Sequence, residues 1–206
     1  MDGLIFLWLM WALWIVSTFL IERKNFWRLR CSAAVLILII SFPFGINLFG
    51  FQTGLALVLI FLYSMYFIKE FPLSEKLYMF IGSFIIGVSY STLTLLSFYD
   101  PIILIVDKKI MVTAILLVLS LLLYGESQSF KKRLLAVIIG MIVGECLSGT
   151  VFWQNKLPYQ IGGHFFLDVL SIIVASGFAL HLLQVIISTH STIIKSALKK
   201  GEVKNI

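Results

Sequence analysis

Two carboxylates stand where a carboxylate is expensive. Glu145 lies in GMIVGECLSG (140–149) and Asp168 in GGHFFLDVLS (162–171), each inside a long apolar run, while the other eight acidic residues fall in loops, tails or flanks. A charged side chain at a bilayer centre costs about 2.5–3.5 kcal/mol on insertion scales, so such groups face a bundle interior, find partners and mark candidate sites. His164, Asp168 and Ser171 follow at i, i+4 and i+7, one face of a helix. That spacing lets His164 pair with Asp168 and leaves Ser171 beside them. Glu145 has only Cys146 and Ser148 near it in sequence, so it is expected to carry a proton unless a cation reaches it. Glu145, Asp168, His164, Ser148 and Ser171 therefore form a candidate polar cleft for a proton, an ion or a small polar solute. The competing reading makes both acids structural hydrogen-bonding groups between helices.

Other chemistry finds little support. The chain carries no Walker loop, dinucleotide glycine fingerprint, paired-cysteine zinc spacing or HExxH pair, so no cofactor and no metal site is expected. CLSGT, around Ser148, has the small-residue context of an intramembrane serine nucleophile, with His164 at a plausible depth to activate it. Ser148 also continues a packing register, and companion motifs are missing, so no catalytic residue is assigned. A membrane-embedded enzyme remains the weakest of the three functional readings.

The elements that must hold these residues are helices in lipid. The chain is 60% hydrophobic and 13% charged, against about 45–50% and about 25% for soluble domains. Seven apolar runs occur, at about 4–21, 31–49, 53–68, 77–98, 110–124, 134–153 and 165–187. They are long and continuous, as helices crossing a core about 30 Å thick require, and they do not alternate like barrel strands. Asp2 alone precedes the first run and Ile21 leads into Glu22-Arg23-Lys24, so this run reads as a permanent span. Pro43 interrupts the second run, which is either kinked there or stops near Phe42 and re-enters as PFGINLFG.

Charge sets the orientation. With the N-terminus outside, 13 of the 16 Lys and Arg residues fall on the inside, the bias that membrane insertion imposes. The net charge of +6 is thus a matter of topology, and no nucleic-acid partner is expected. The expected fold is all-α, a polytopic seven-helix transmembrane bundle with N-terminus outside and C-terminus inside. Residues 1–190 form a single domain and 191–206 a basic cytoplasmic tail. In that frame Glu145 lies about 12 Å, and Asp168 roughly 8 Å, from the outer boundary at the helical rise per residue.

Small residues recur four apart. Gly140, Gly144 and Ser148 share a face of the sixth helix, and Ser83, Gly87 and Ser91 share one on the fourth. Such faces let helices approach closely. They support the second functional reading, a structural or partner-binding membrane protein assembled through these faces, with the bilayer, a membrane partner or a second copy as company.

Three stretches carry a family likeness: LWLMWALWIVSTF (7–19), FYDPIIL (98–104) and PYQIGGHFFLDVL (158–170). With them the chain resembles the YphA family of small integral membrane proteins from spore-forming bacteria. The resemblance implies a bacterial plasma-membrane protein without an assigned activity, and it carries no functional residues across.

Overall fold

A computed structural model describes residues 2–20, 22, 26–48, 50–100, 107–125 and 130–203, without the side chains of residues 26, 27 and 188–203. Among them are seven α-helices: α1 (Leu4–Ile15), α2 (Phe26–Ser41), α3 (Leu55–Ile68), α4 (Leu73–Tyr99), α5 (Lys108–Tyr124), α6 (Phe130–Gln154) and α7 (His164–Val203). The fold is all-α in class. Residues 101–104 of the FYDPIIL stretch and the side chains of the basic tail lie outside the described residues. The chain forms two units, Met1–Ile173 and Val174–Ile206. The second is the remainder of α7, helical to Val203, with Phe178, Leu182, Leu183, Ile186 and Ile187 exposed.

α4 and α6 have the length and apolarity to cross a membrane, as does α7 over His164–Ile187. Trp8 is 77% exposed and Leu122 78%. Such large apolar side chains facing outward suit lipid and are atypical of a water-facing surface. α1 continues into a π-helical turn, Val16–Leu20. There the Ser17 hydroxyl donates to the Trp14 carbonyl at 3.0 Å, and Thr18 and Ser32 hydroxyls meet at 3.0 Å between α1 and α2.

The second apolar run is not one helix. α2 ends at Ser41, because Pro43 disfavours helical backbone at Phe42 and lacks its own N–H. The following segment forms β1 (Gly45–Leu48) and β2 (Phe51–Gly54), an antiparallel hairpin turning through Gly50 at φ +87°. A third short strand, β3 (Gln160–Ile161), pairs parallel to β2. Backbone groups in an apolar setting need internal partners, and here the segment between α6 and α7 supplies them. Gly162 allows the approach. Its φ is +72°, and a Cβ there would sit 2.5 Å from that of Leu57.

The tightest helix contact is α4 on α6. A Cβ on Gly140 would lie 2.7 Å from the Ser83 carbonyl oxygen, one on Gly87 would lie 2.8 Å from that of Gly140, and one on Gly144 would lie 2.6 Å from that of Gly87. Ser83 donates across the seam to the Ala136 carbonyl at 3.0 Å, and Ser148 to the Ser91 hydroxyl at 3.1 Å. The small faces of α4 and α6 thus meet each other within one chain. Close approach leaves the packed side chains Ile86, Tyr90 and Met141 without exposure.

Candidate functional site

The start of α1, the start of α5, the end of α6 and the start of α7 meet at one end of the bundle. Two carboxylates lie among them, and their surroundings differ in kind.

Asp168 is fully buried. Its Oδ2 accepts from the Gly3 amide at 2.8 Å and its Oδ1 from the Phe6 amide at 2.9 Å. Both N–H groups belong to the first turn of α1, where no intrahelical acceptor exists. Gly3, at φ +92°, is the N-cap residue and has no side chain to do the capping. Asp168 therefore caps α1 from another helix, and its negative charge meets the positive end of the α1 dipole. Lys109 Nζ adds an ion pair at 2.7 Å, and the same ammonium reaches Asp2 at 2.8 Å. Lys109 is placed by Asp107, whose side chain caps α5 by accepting from the Lys109 amide at 2.8 Å. The Lys109 hydrogen bond holds the Asp2 carboxyl below its ordinary value, against a smaller opposing effect of burial.

Glu145 is 2% exposed, and its donors are phenols. Tyr90 of α4 donates to Oε1 at 3.0 Å, and Tyr159 donates to Oε2. The Gly162 backbone amide also faces the carboxylate, and Lys108 acts on it through space. No ion pair reaches Glu145 among the described residues. Tyr90 is held edge-on to Phe166 at 6.4 Å. Tyr159 lies stacked on Phe152, with centroids 4.5 Å apart, on the segment that leads into β3. Burial, and then the Glu145 carboxylate, push the Tyr159 phenol far above its usual range, so it remains a donor. Lys108 rests its ammonium over the Phe165 ring at 4.3 Å.

The remaining sequence candidates separate. Ser148 has no exposure and serves the α4–α6 seam. Ser171 donates to the Asp168 backbone carbonyl at 2.8 Å. His164 is exposed, with its ring 4.5 Å from that of Phe42. Both Asp168 oxygens are occupied by Gly3, Phe6 and Lys109, and the His164–Asp168 pairing suggested by spacing is replaced by the Lys109 ion pair. The reason is physical. His164 opens α7 with its ring against Phe42, whereas Lys109 brings its charge to Asp168 from a neighbouring helix.

The sequence reading passed over Lys109, Asp2, Tyr90 and Tyr159 as site members. Tyr90 stands in the YST run near the end of α4, and Tyr159 three residues before the Gly162-Gly163 pair. Nothing local assigns either to Glu145.

The family model of YphA-like integral membrane proteins matches residues 2–203. The chain belongs to that family. Membership makes it an integral membrane protein, and the match includes both carboxylates with all their partners. A YphA-like relative, the "Uncharacterized protein YphA" of Bacillus subtilis (strain 168), is 25% identical over 171 residues, 83% of each chain. No solved structure matches the chain.

Proposed function

We propose that the protein is a multi-pass protein of the cell membrane, N-terminus outside and C-terminus inside, that takes up a proton or a small polar cation from the outer side at Glu145. The observation that carries this reading is the contrast between the two acids. Asp168 has a lysine and two backbone amides of its own, which is a finished structural clasp. Glu145 is as deeply buried but is bonded by neutral phenols and one amide, and its one nearby cation, Lys108, acts through space without an ion pair among the described residues. A carboxylate in an apolar interior is costly without a counter-charge, so a proton or an arriving cation completes the site. Tyr159, half-buried in the α6–α7 connection, links Glu145 to the bundle end. His164 stands exposed at that end. The positive-inside bias of the loops supports placing it outside.

The small-residue reading has a different use in this fold. Gly87, Gly140 and Gly144 are taken up by the α4–α6 seam, so a partner docking on those faces would have to displace the chain's own packing. No catalytic step is assigned to any residue.

Infrared difference spectroscopy of the protein in liposomes, with only the external pH changed, tests the proposal. The expected result is a carboxylic-acid carbonyl band that grows as external pH falls and is missing in Glu145→Gln. A carboxyl signal indifferent to external pH, or one unchanged in Glu145→Gln, would sink it.

A further inference from the structure

The opposite end of the bundle holds a cation, Lys76, with no counter-ion among the described residues. At the connection between α3 and α4, Lys131 pairs with Glu70 at 2.5 Å and Lys132 with Glu75 at 2.8 Å. Lys76, in the first turn of α4, is half-buried and has no acidic partner among the described residues. The two nearby acids are already neutralised by the other lysines. Lys76 lies at an apolar groove of about 540 Å³ that is lined also by Ile68 of α3, Leu73, Leu77 and Phe80 of α4, and Ile139 of α6. Leu73, Leu77 and Phe80 are 82%, 63% and 67% exposed, so the groove opens outward.

We propose that this groove holds an acyl chain of an anionic phospholipid, with the lipid phosphate on the Lys76 ammonium. The chemistry of the place is that of a lipid cut lengthwise. An apolar trough runs between α3 and α4 over α6, and Lys76 stands where the trough meets the polar end of α4. A lysine lays its stem along apolar surface and keeps its ammonium at the interface. Basic pockets between membrane helices select acidic headgroups. Lys69 is exposed in the same connection and adds attraction of the same sign. A zwitterionic lipid would bring a second cation to a place whose described carboxylates, Glu70 and Glu75, are already paired, so the anionic class is favoured.

Native mass spectrometry of the full chain in a non-ionic detergent tests this. Phosphatidylglycerol and phosphatidylcholine with identical acyl chains are titrated separately, and glycerol phosphate is added as a headgroup without chains. The wild type should retain phosphatidylglycerol in preference. Lys76→Gln should lower its occupancy about fivefold, the equivalent of about 1 kcal/mol for one lysine near an anionic surface, and leave phosphatidylcholine unchanged. Lys131→Gln, which removes a paired lysine, should leave the preference intact. Leu77→Trp, at an exposed lining position, should reduce retention of both lipids while the melting curve stays that of the wild type. Undiminished phosphatidylglycerol binding in Lys76→Gln overturns the proposal. Equal loss in Lys131→Gln overturns it in favour of diffuse charge attraction, and displacement of the lipid by glycerol phosphate overturns it in favour of a free-phosphate site. Full retention of both lipids in Leu77→Trp removes the groove from it.

Discussion

Asp168 and Glu145 differ by one methylene and by everything around them, so their amide variants should part company. Asp168→Asn takes the charge from a buried ion pair and turns one acceptor toward the Gly3, Phe6 and Lys109 donors into a donor itself. Breaking a buried pair from one side costs about 3–5 kcal/mol, and a large drop in the unfolding midpoint in detergent is expected. Glu145→Gln keeps an oxygen for one phenol, and its NH2 can donate to the other, since a phenol oxygen also accepts. That variant should unfold within about 1 kcal/mol of the wild type, the worth of a typical single hydrogen bond. Equal losses in the two variants would mean that Glu145 is also held as a paired charge.

Asp2 gives an acid-side signature. Its folded carboxyl titrates below the free value of 3.8 because of Lys109, so folding favours the ionised form. The contribution is complete above that value and fades as pH falls through the lower folded one. Proteolysis of the N-terminal segment should therefore quicken below about pH 4 in the wild type. Asp2→Asn should already show the faster rate at neutral pH. Both buried acids were legible from sequence, because an acid in an apolar run is conspicuous. Their partners were not, since Tyr90 is 55 positions from Glu145 and Lys109 is 59 from Asp168. Helical periodicity reports only neighbours within a turn or two, which is how His164 came to stand in for Lys109.

At the scale of elements, the α4–α6 seam and the β-hairpin show opposite limits of sequence reading. Small residues four apart announced a close helix contact on each of two helices, and spacing alone could not pair them. Gly144 is the strictest point of that seam, because an added Cβ meets the Gly87 carbonyl oxygen at 2.6 Å, a backbone atom that cannot rotate away. Gly144→Leu should separate α4 from α6 and cost more than the about 1–3 kcal/mol of ordinary overpacking. Tyr90, at 2.8 Å from the same Cβ position, would be displaced as well, and Glu145 would lose a donor. Thermal unfolding, together with cross-linking of cysteine pairs placed across the seam, checks this. Unchanged cross-linking and midpoint would show that the helices can yield. The hairpin was hidden for a different reason. GINLFGFQTG carries no charged residue to mark it off from the flanking spans, and hydropathy does not distinguish a helix from a paired strand. Pro43 marked where α2 had to stop, but β2 takes its second partner from Gln160 and Ile161, more than a hundred residues away.

Across the whole molecule, the folded chain sharpens what an accessibility experiment should find. Glu145, Ser148, Asp168 and Ser171 are all 5% exposed or less, whereas His164 and Lys156 are exposed at the same end. If water reaches Glu145, it does so past Tyr159, which both covers the carboxylate and bonds to it. In a background with Cys31 and Cys146 replaced, thiols at 156 and 164 should therefore react with a membrane-impermeant reagent on intact cells. Thiols at 148 and 171 should stay unreactive, because these positions lie in packed seams behind the two acids. Thiols at 69 and 131, at the opposite end, should react only after permeabilisation if the loop charges have set the orientation. Tyr159→Ala supplies the discriminating step. It removes the ring stacked on Phe152 and the hydroxyl on Glu145, so a thiol at 145 that is silent behind Tyr159 should become reactive from outside. Continued silence at 145 in that variant would place the carboxylate in a sealed core, and Glu145 would then be a structural acid like Asp168. Labelling at 156 only after permeabilisation would invert the molecule and place the candidate site on the inner face.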